Sequence, residues 1–165
     1  MVQAKQHTFA TRNDLPSQLR ETMITLLNQQ LADTFDLYSQ VKQAHWDVKG
    51  MHFMQLHLLF DDLAKALIEY VDLIAERVTA LGGTAAGTAR MAAAQSRLTE
   101  FPAEITSGEQ VVEVLVQRFS MYGSSSRAAI ATAAEQGDQD TADLFTEISR
   151  NTDKHLWFLE AHLQD

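Results

Sequence analysis

Two histidines and three acidic residues have the chemistry and the spacing of a metal site: His45, His57, Asp61, Asp72 and Glu76. On a helix that turns about 100° per residue, the last four map to about 0°, 40°, 60° and 100°, which is one stripe of its surface. His45 precedes that helix, and its spacing places it on the inward seam of the helix before. Imidazole and carboxylate groups without sulfur suit Fe(II), Zn(II), Mn(II) or Co(II). The pattern therefore predicts metal ligands.

The spacing along the stripe indicates that one subunit holds only half of each site. Asp61 and Asp72 are eleven residues apart, about 16 Å along a helix axis, whereas metal–ligand bonds run to roughly 2.0–2.6 Å. An antiparallel copy of the helix, related by a two-fold axis at 66–67, would bring His57 and Asp61 against Asp72 and Glu76 of the second copy. The sequence thus predicts a two-fold dimer with two identical interfacial metal sites.

Each candidate ligand also has an ordinary structural interpretation. A histidine on an apolar helix face is often a hydrogen-bonded core residue, and Asp72 with Glu76 beside Arg77 could form a solvated acidic patch. The shared stripe favours the metal interpretation, because like charges at i,i+4 cost a helix about 0.2–0.5 kcal/mol that a bound cation reverses. No glutamate is followed three residues later by histidine, so the motif of an intrachain di-iron centre is absent.

The elements that must position these residues are helices. Helix formers dominate the 165 residues, 45% of the chain is hydrophobic, and only 2 prolines and 7 glycines interrupt it, which predicts an all-α fold. A flexible, polar N-terminal tail is expected over 1–14 and a single domain over 15–165. The expected helices cover 16–48, 52–81, 89–95, 107–136 and 139 to near the C-terminal end.

Four long helices with short outer turns and one long central connection resemble a ferritin-like four-helix bundle. The short turns predict two antiparallel hairpins, and the long connection, which carries the short helix, must cross between them. Capping residues are expected at three helix starts: Asn13 or Asp14 ahead of Pro16, Thr106 paired with Glu109 in a capping box, and Asp138 or Asp140.

Several segments of the chain resemble the Dps family, the mini-ferritins. The likeness covers about 15–163 and is carried by 45–50 (HWDVKG), 72–77 (DLIAER) and 153–163 (DKHLWFLEAHL). The family usually has Asn at the position of Asp47. The resemblance implies a hollow dodecamer with tetrahedral symmetry that stores iron and protects against oxidative damage.

The resemblance also implies roles for the five candidate ligands. Ferroxidase sites would lie at two-fold interfaces, with His45, His57 and Asp61 from one subunit and Asp72 and Glu76 from its partner. Fe(II) would be oxidised there, preferentially by hydrogen peroxide, and the ferric product stored as a mineral in the cavity. Zinc is expected as a competitor or inhibitor, because it binds such donors without redox chemistry.

Other residues have candidate roles around this chemistry. Trp46 adjoins His45 and could donate an electron to a stray oxidant, or it could pack at the interface. Asp138, Asp143 and Glu147 resemble the acidic lining of the family's three-fold pores, where carboxylate rings attract cations. Asp138 could also cap its helix.

The remaining histidines receive no firm role. His155 and His162 are one heptad apart and could form an accessory metal site, although packing or surface roles are the simpler interpretation. His52 is expected to point away from His57, and His7 lies in the expected tail.

The charge of the chain bears on its partners. A formal net charge of −9 and a pI near 5.0 favour cations and oppose a dedicated nucleic-acid binder. Lys5 and Arg12 supply few phosphate contacts, so DNA binding is expected to be weak or absent at about 150 mM salt.

The remaining expectations concern location and rival functions. No run approaches the roughly 18 apolar residues of a membrane span, and the N-terminus lacks an apolar signal core. We therefore expect a cytoplasmic protein without membrane partners, with nucleoid association left open. Two rivals to the ferroxidase stay open: a non-enzymatic DNA-compacting protein with structural metal sites, and a zinc-bridged structural bundle.

Overall fold

Five helices form the computed structural model, which describes residues 8–164. They are α1 (Ser17–Asp47), α2 (Phe53–Ala80), α3 (Ala89–Gln95), α4 (Gly108–Gln136) and α5 (Gln139–Glu160). α1 packs along α2 and α4 packs along α5, and the two pairs meet through α1 with α4 and α2 with α5. The predicted all-α fold is confirmed, and α3 occupies the predicted residues of the crossover.

The start of α1 differs from the prediction. The helix begins after Pro16 without a side-chain cap, so neither Asn13 nor Asp14 is its capping residue. The Asn13 side chain instead accepts a hydrogen bond from the Leu15 N–H at 3.0 Å. Pro16 has a fixed φ, and its carbonyl accepts a hydrogen bond from the Arg20 N–H at 3.0 Å.

The starts of α4 and α5 give one correction and one confirmation. Ser107 caps α4 in place of the predicted Thr106, whose carbonyl accepts a hydrogen bond from the Lys49 N–H at 2.8 Å. This bond ties the first inter-helix turn to the end of the crossover. Asp138 caps α5, as predicted, by accepting from the Thr141 N–H at 3.1 Å.

Apolar side chains from all four long helices fill one core. The largest fully buried members are Tyr122, Phe60, Phe119, Phe145, Met23, Ile24, Leu27, Leu31, Leu37, Leu63, Ile74 and Leu81.

One buried polar link crosses this core between α1 and α4. The Tyr122 and Thr34 hydroxyls are 2.7 Å apart. Thr34 donates to the Gln30 carbonyl at 2.6 Å, so the Tyr122 hydroxyl donates to Thr34. Burial raises the pKa of Tyr122 far above its usual range.

The crossover is anchored by two arginines. Arg97 pairs with the buried Asp33 of α1, its Nη2 and Nε atoms lying 2.5 and 2.9 Å from one carboxylate oxygen. Arg118 of α4 donates to the carbonyls of Thr99 and Glu100 at 2.8 and 3.0 Å, and burial lowers the pKa of Arg118. These contacts tie the long connection to both α1 and α4.

Residues 8–14 run without helix past the end of α2. The Phe9 N–H donates to the Gly82 carbonyl at 2.7 Å. Gly82 has a φ of +87°, and a Cβ there would lie 2.8 Å from the Phe9 carbonyl oxygen, so glycine is required for this approach. Positions 1–7 of the predicted tail, with Lys5 and His7, lie outside the described residues. Within residues 8–164, no helix is long and apolar enough to cross a membrane.

Candidate metal centre

The end of α1 and the first turns of α2 bring two histidines face to face. The rings of His45 and His57 stack with centroids 3.7 Å apart and planes inclined by 20°. Phe53 covers the His57 ring from one turn earlier on α2, at a centroid distance of 5.0 Å. The inward position predicted for His45 is confirmed by its burial.

Backbone hydrogen bonds orient both rings. The Nδ1 of His45 lies 2.8 Å from the carbonyl oxygen of His57, and the Nδ1 of His57 lies 2.9 Å from the carbonyl oxygen of His45. A carbonyl only accepts, so each Nδ1 carries the proton and donates. In the neutral ring the lone pair then lies on Nε2, the atom that a metal would bind.

Asp61 follows His57 by one turn and is surrounded by positive charge. Its Oδ2 lies 2.9 Å from the Lys65 Nζ and its Oδ1 lies 3.1 Å from the Lys42 Nζ. Hydrogen bonds from Lys65 and then Lys42 lower the pKa of Asp61 to about 2. The carboxylate is therefore ionised at any physiological pH.

Asp72 and Glu76 are exposed on the same helix, away from the histidine pair. The buried residues of α2, such as Phe60, Leu67 and Ile74, map to about 220–340° on the wheel that puts His57 at 0°. The candidate stripe at about 0–100° is therefore separate from the face that builds the core. Within residues 8–164 of one subunit, no three His, Cys, Asp or Glu side chains are close enough to hold an ion together. Completion of the site by a second copy stays a prediction.

Large apolar side chains are exposed around the histidine pair. Trp46 is 65% exposed, and the Lys42 Nζ lies 5.8 Å from its ring centroid. Other exposed apolar side chains nearby in the chain are Met51, Phe53, Met54 and Leu58. Several large apolar side chains exposed along one part of the chain are consistent with a face that a partner covers. Both roles considered for Trp46, electron donor and interface packing, stay predictions.

The predicted acidic pore residues differ in their environments. Asp138 is only 2% exposed. Its Oδ1 accepts from Arg77 of α2 at 2.7 Å, and its Oδ2 accepts from the Thr141 hydroxyl at 2.6 Å. These bonds give Asp138 a capping and ion-pairing role, and its pore role stays a prediction. Asp143 and Glu147 are exposed on α5, and their pore role likewise stays a prediction.

The other histidines lie apart from the pair. His52 precedes the first residue of α2 and is exposed. His155 is half-buried with its ring edge-on to Phe119 at 6.2 Å, and burial lowers the pKa of His155. The His162 Nδ1 bonds to the Phe158 carbonyl at 2.7 Å on the surface.

Two lysines at the metal centre, Lys65 and Lys42, were not predicted from the sequence. Lys65 could have been found, because it lies four residues after Asp61 on the same helix, the spacing of a helical ion pair. Lys42 could not have been found in this way, since it reaches Asp61 from α1 and only the packing of the two helices sets that distance.

Comparisons with known proteins agree with this architecture. A family model described as the ferritin-like domain matches residues 24–165. The DNA protection during starvation protein of Agrobacterium fabrum is 42% identical over 158 residues, 96% of this chain and 98% of that protein. DpsC from Streptomyces coelicolor matches with a TM-score of 0.93 at 31% identity, covering 100% of this chain and 96% of that one.

A second solved structure gives the same result. Dps from Staphylococcus aureus matches with a TM-score of 0.83 at 35% identity, covering 88% of this chain and 97% of that one. The four-helix bundle with its crossover helix thus defines a ferritin-like protein. Within that class, the chain belongs to the Dps family.

Proposed function

We propose that this protein oxidises Fe(II) at sites shared between two subunits and stores the ferric product inside a homo-oligomeric cage. Its membership of a ferritin-like family supports a role in iron storage and in protection from stress. The name of the Agrobacterium fabrum relative refers to DNA protection during starvation, and removal of reactive Fe(II) is one chemical route to such protection.

The observation that carries the proposal is the oriented histidine pair beside Asp61. Both Nδ1 atoms of His45 and His57 are held by backbone carbonyls, which leaves the Nε2 atom of each ring as the one that would bind a metal. Asp61 adds an ionised carboxylate one turn away. His57 and Asp61 lie outside the face of α2 that builds the core, as expected of a site that a partner completes.

The second copy would supply the remaining carboxylates. In the antiparallel arrangement about 66–67, Asp61 faces Asp72 of the second copy, and His57 faces its Glu76. Two imidazoles and three carboxylates then surround each site. The set suits Fe(II), and it also suits Zn(II), which would occupy the donors without transferring electrons. Zinc therefore acts as an inhibitor in the proposal.

Peroxide is the preferred oxidant in the proposal, because its reduction matches a two-iron stoichiometry. Two Fe(II) ions each lose one electron, and hydrogen peroxide takes up both electrons with two protons to give two water molecules. A single Fe(II) could supply only one electron, and peroxide would then yield hydroxide and a hydroxyl radical. Paired oxidation at the interface would thus consume Fe(II) and peroxide with little radical release.

Assembly and ion access complete the proposal. Two-fold dimers would associate further into a dodecamer, and the exposed Asp143 and Glu147 would line pores that attract Fe(II). Rings of carboxylates raise the local concentration of a divalent cation. The net charge of −9 acts in the same direction over the whole cage.

Stopped-flow oxidation of Fe(II), added anaerobically, tests the proposal. The wild type should oxidise Fe(II) faster with hydrogen peroxide than with oxygen, and zinc should slow the reaction. His57→Ala should reduce the rate at least about tenfold, because it removes a metal ligand. His52→Ala is the matched control, since His52 is exposed at the start of the same helix. Equal rates in wild type and His57→Ala would refute the proposed site.

A further inference from the structure

We propose that Lys65 is a removable counter-ion of Asp61, which leaves for Asp62 when a divalent cation binds. The inference rests on the proposed function and concerns how the same site changes on loading. Lys65 lies 2.9 Å from the Oδ2 of Asp61 and 3.4 Å from the Oδ1 of Asp62. It is therefore placed between one carboxylate of the site and one outside it.

The two lysines on Asp61 differ in their freedom to leave. The Lys42 side chain is 20% exposed, and its ammonium group also lies over the Trp46 ring. No second carboxylate within residues 8–164 forms an ion pair with Lys42. The Lys65 side chain is 67% exposed, and Asp62, its alternative partner, is 77% exposed. Lys65 can therefore move between two carboxylates in solvent, while Lys42 is held.

Lys65 has a different electrostatic role in the metal-free site and in the metal-bound site. In the proposed dimer, Asp61 faces a carboxylate of the second copy, and without metal the two would repel each other. The ammonium group of Lys65 offsets this repulsion. When a divalent cation arrives, it competes with the ammonium group for Asp61. Asp62 then accepts Lys65, so the positive charge moves away from the cation instead of opposing it.

Titration calorimetry of the assembled protein with Zn²⁺ measures this competition without redox chemistry. Lys65→Met keeps the aliphatic length and removes the charge, and it should bind Zn²⁺ about two- to fivefold more tightly, the range expected from loss of one exposed ion pair. Lys154→Met makes the same change of net charge on α5, far along the chain, and should leave the affinity unchanged.

Asp62→Asn tests the second half of the proposal. It removes the alternative partner, so Lys65 should stay on Asp61 and Zn²⁺ binding should weaken about twofold. In the Lys65→Met background, the same Asp62→Asn change should have almost no effect, because no ammonium group remains to be moved. A double-mutant cycle of the four affinities isolates this coupling.

The outcomes separate this inference from the proposed function. Loss of Zn²⁺ binding in Asp61→Asn, with unchanged affinity in Lys65→Met, would leave the metal site standing and overturn the role of Lys65. Additive effects in the cycle would overturn the transfer to Asp62. Zn²⁺ binding that survives in both Asp61→Asn and His57→Ala would contradict the proposed site itself. Tighter binding in Lys65→Met together with coupling to Asp62 supports the inference.

Discussion

Replacement of Asp138 by alanine should destabilise the fold without altering the candidate metal centre. The Asp138 carboxylate performs three tasks at once. It caps α5 through the Thr141 N–H, accepts from the Thr141 hydroxyl, and pairs with Arg77 of α2. Arg77 is 17% exposed, so the variant would leave a guanidinium group mostly buried without this partner. The bond also joins the two hairpins of the bundle.

The expected loss of stability in Asp138→Ala is the sum of two contributions. Loss of a helix cap costs about 1 kcal/mol, and loss of a largely buried hydrogen bond between charged groups costs about 1.5–3 kcal/mol. The sum, about 2.5–4 kcal/mol, corresponds to a fall in Tm of roughly 5–16 °C for a chain of this size, at about 2–4 °C per kcal/mol. Asp138→Asn should cost less, because asparagine remains a good capping residue.

Thermal unfolding followed by circular dichroism, at one fixed protein concentration, gives the comparison. Asp143→Ala is the control, since it removes the same charge from an exposed position on the same helix. Its Tm should stay within about 2 °C of wild type, as is usual for surface substitutions. If Asp138→Ala and Asp143→Ala had the same Tm, the assignment of Asp138 to capping and ion pairing would be refuted.

Three further predictions concern the core, the pH dependence and DNA. In chemical denaturation, Thr34→Val should lower the free energy of unfolding by about 1–3 kcal/mol and Tyr122→Phe by about 1 kcal/mol. The difference is expected because only Thr34→Val leaves a buried donor, the Tyr122 hydroxyl, without an acceptor. Equal losses would contradict the assigned direction of that bond. The pKa of His155 is lowered by burial, so the unfolded chain binds a proton more readily. Stability should therefore fall as pH drops through 6.5, and His155→Gln should flatten this dependence of Tm on pH. At about 150 mM salt a gel shift should show weak DNA binding or none, and a tight complex would contradict the charge argument.

Much of the fold could be predicted from the sequence because the signals that locate helices lie in short stretches of the chain. Apolar periodicity and glycines located all five helices, including Ala89–Gln95 in the crossover. The errors were also local: Ser107, rather than its neighbour Thr106, caps α4, and α1 begins after Pro16 without a side-chain cap. Both Thr106 and Ser107 are of residue types that are favoured as helix caps, with serine ranked above threonine. The backbone bond from Lys49 to the Thr106 carbonyl, a tertiary contact, accompanies the observed choice.

The candidate site was predictable in its residue types and not in its contacts. Helical spacing placed His57 and Asp61 on one stripe, and the burial of His45 was expected. The reciprocal Nδ1–carbonyl bonds depend on the close approach of two helices, which sequence spacing does not encode. The same holds for the ion pair of Lys42 with Asp61. At Asp138 the sequence predicted both a cap and a pore role; the cap is confirmed, and the pore role stays a prediction.

A complementation experiment tests the central claim, that each site is shared between two subunits, most directly. His57→Ala and Asp72→Ala would be prepared separately and as a co-assembled mixture, and peroxide-driven Fe(II) oxidation compared among them. Each variant alone should be at least about tenfold slower than the wild type. In a random mixture half of the dimers are mixed and each regains one intact site, so about a quarter of the wild-type rate should return. A mixture no faster than the mean of the two variants would contradict the shared site.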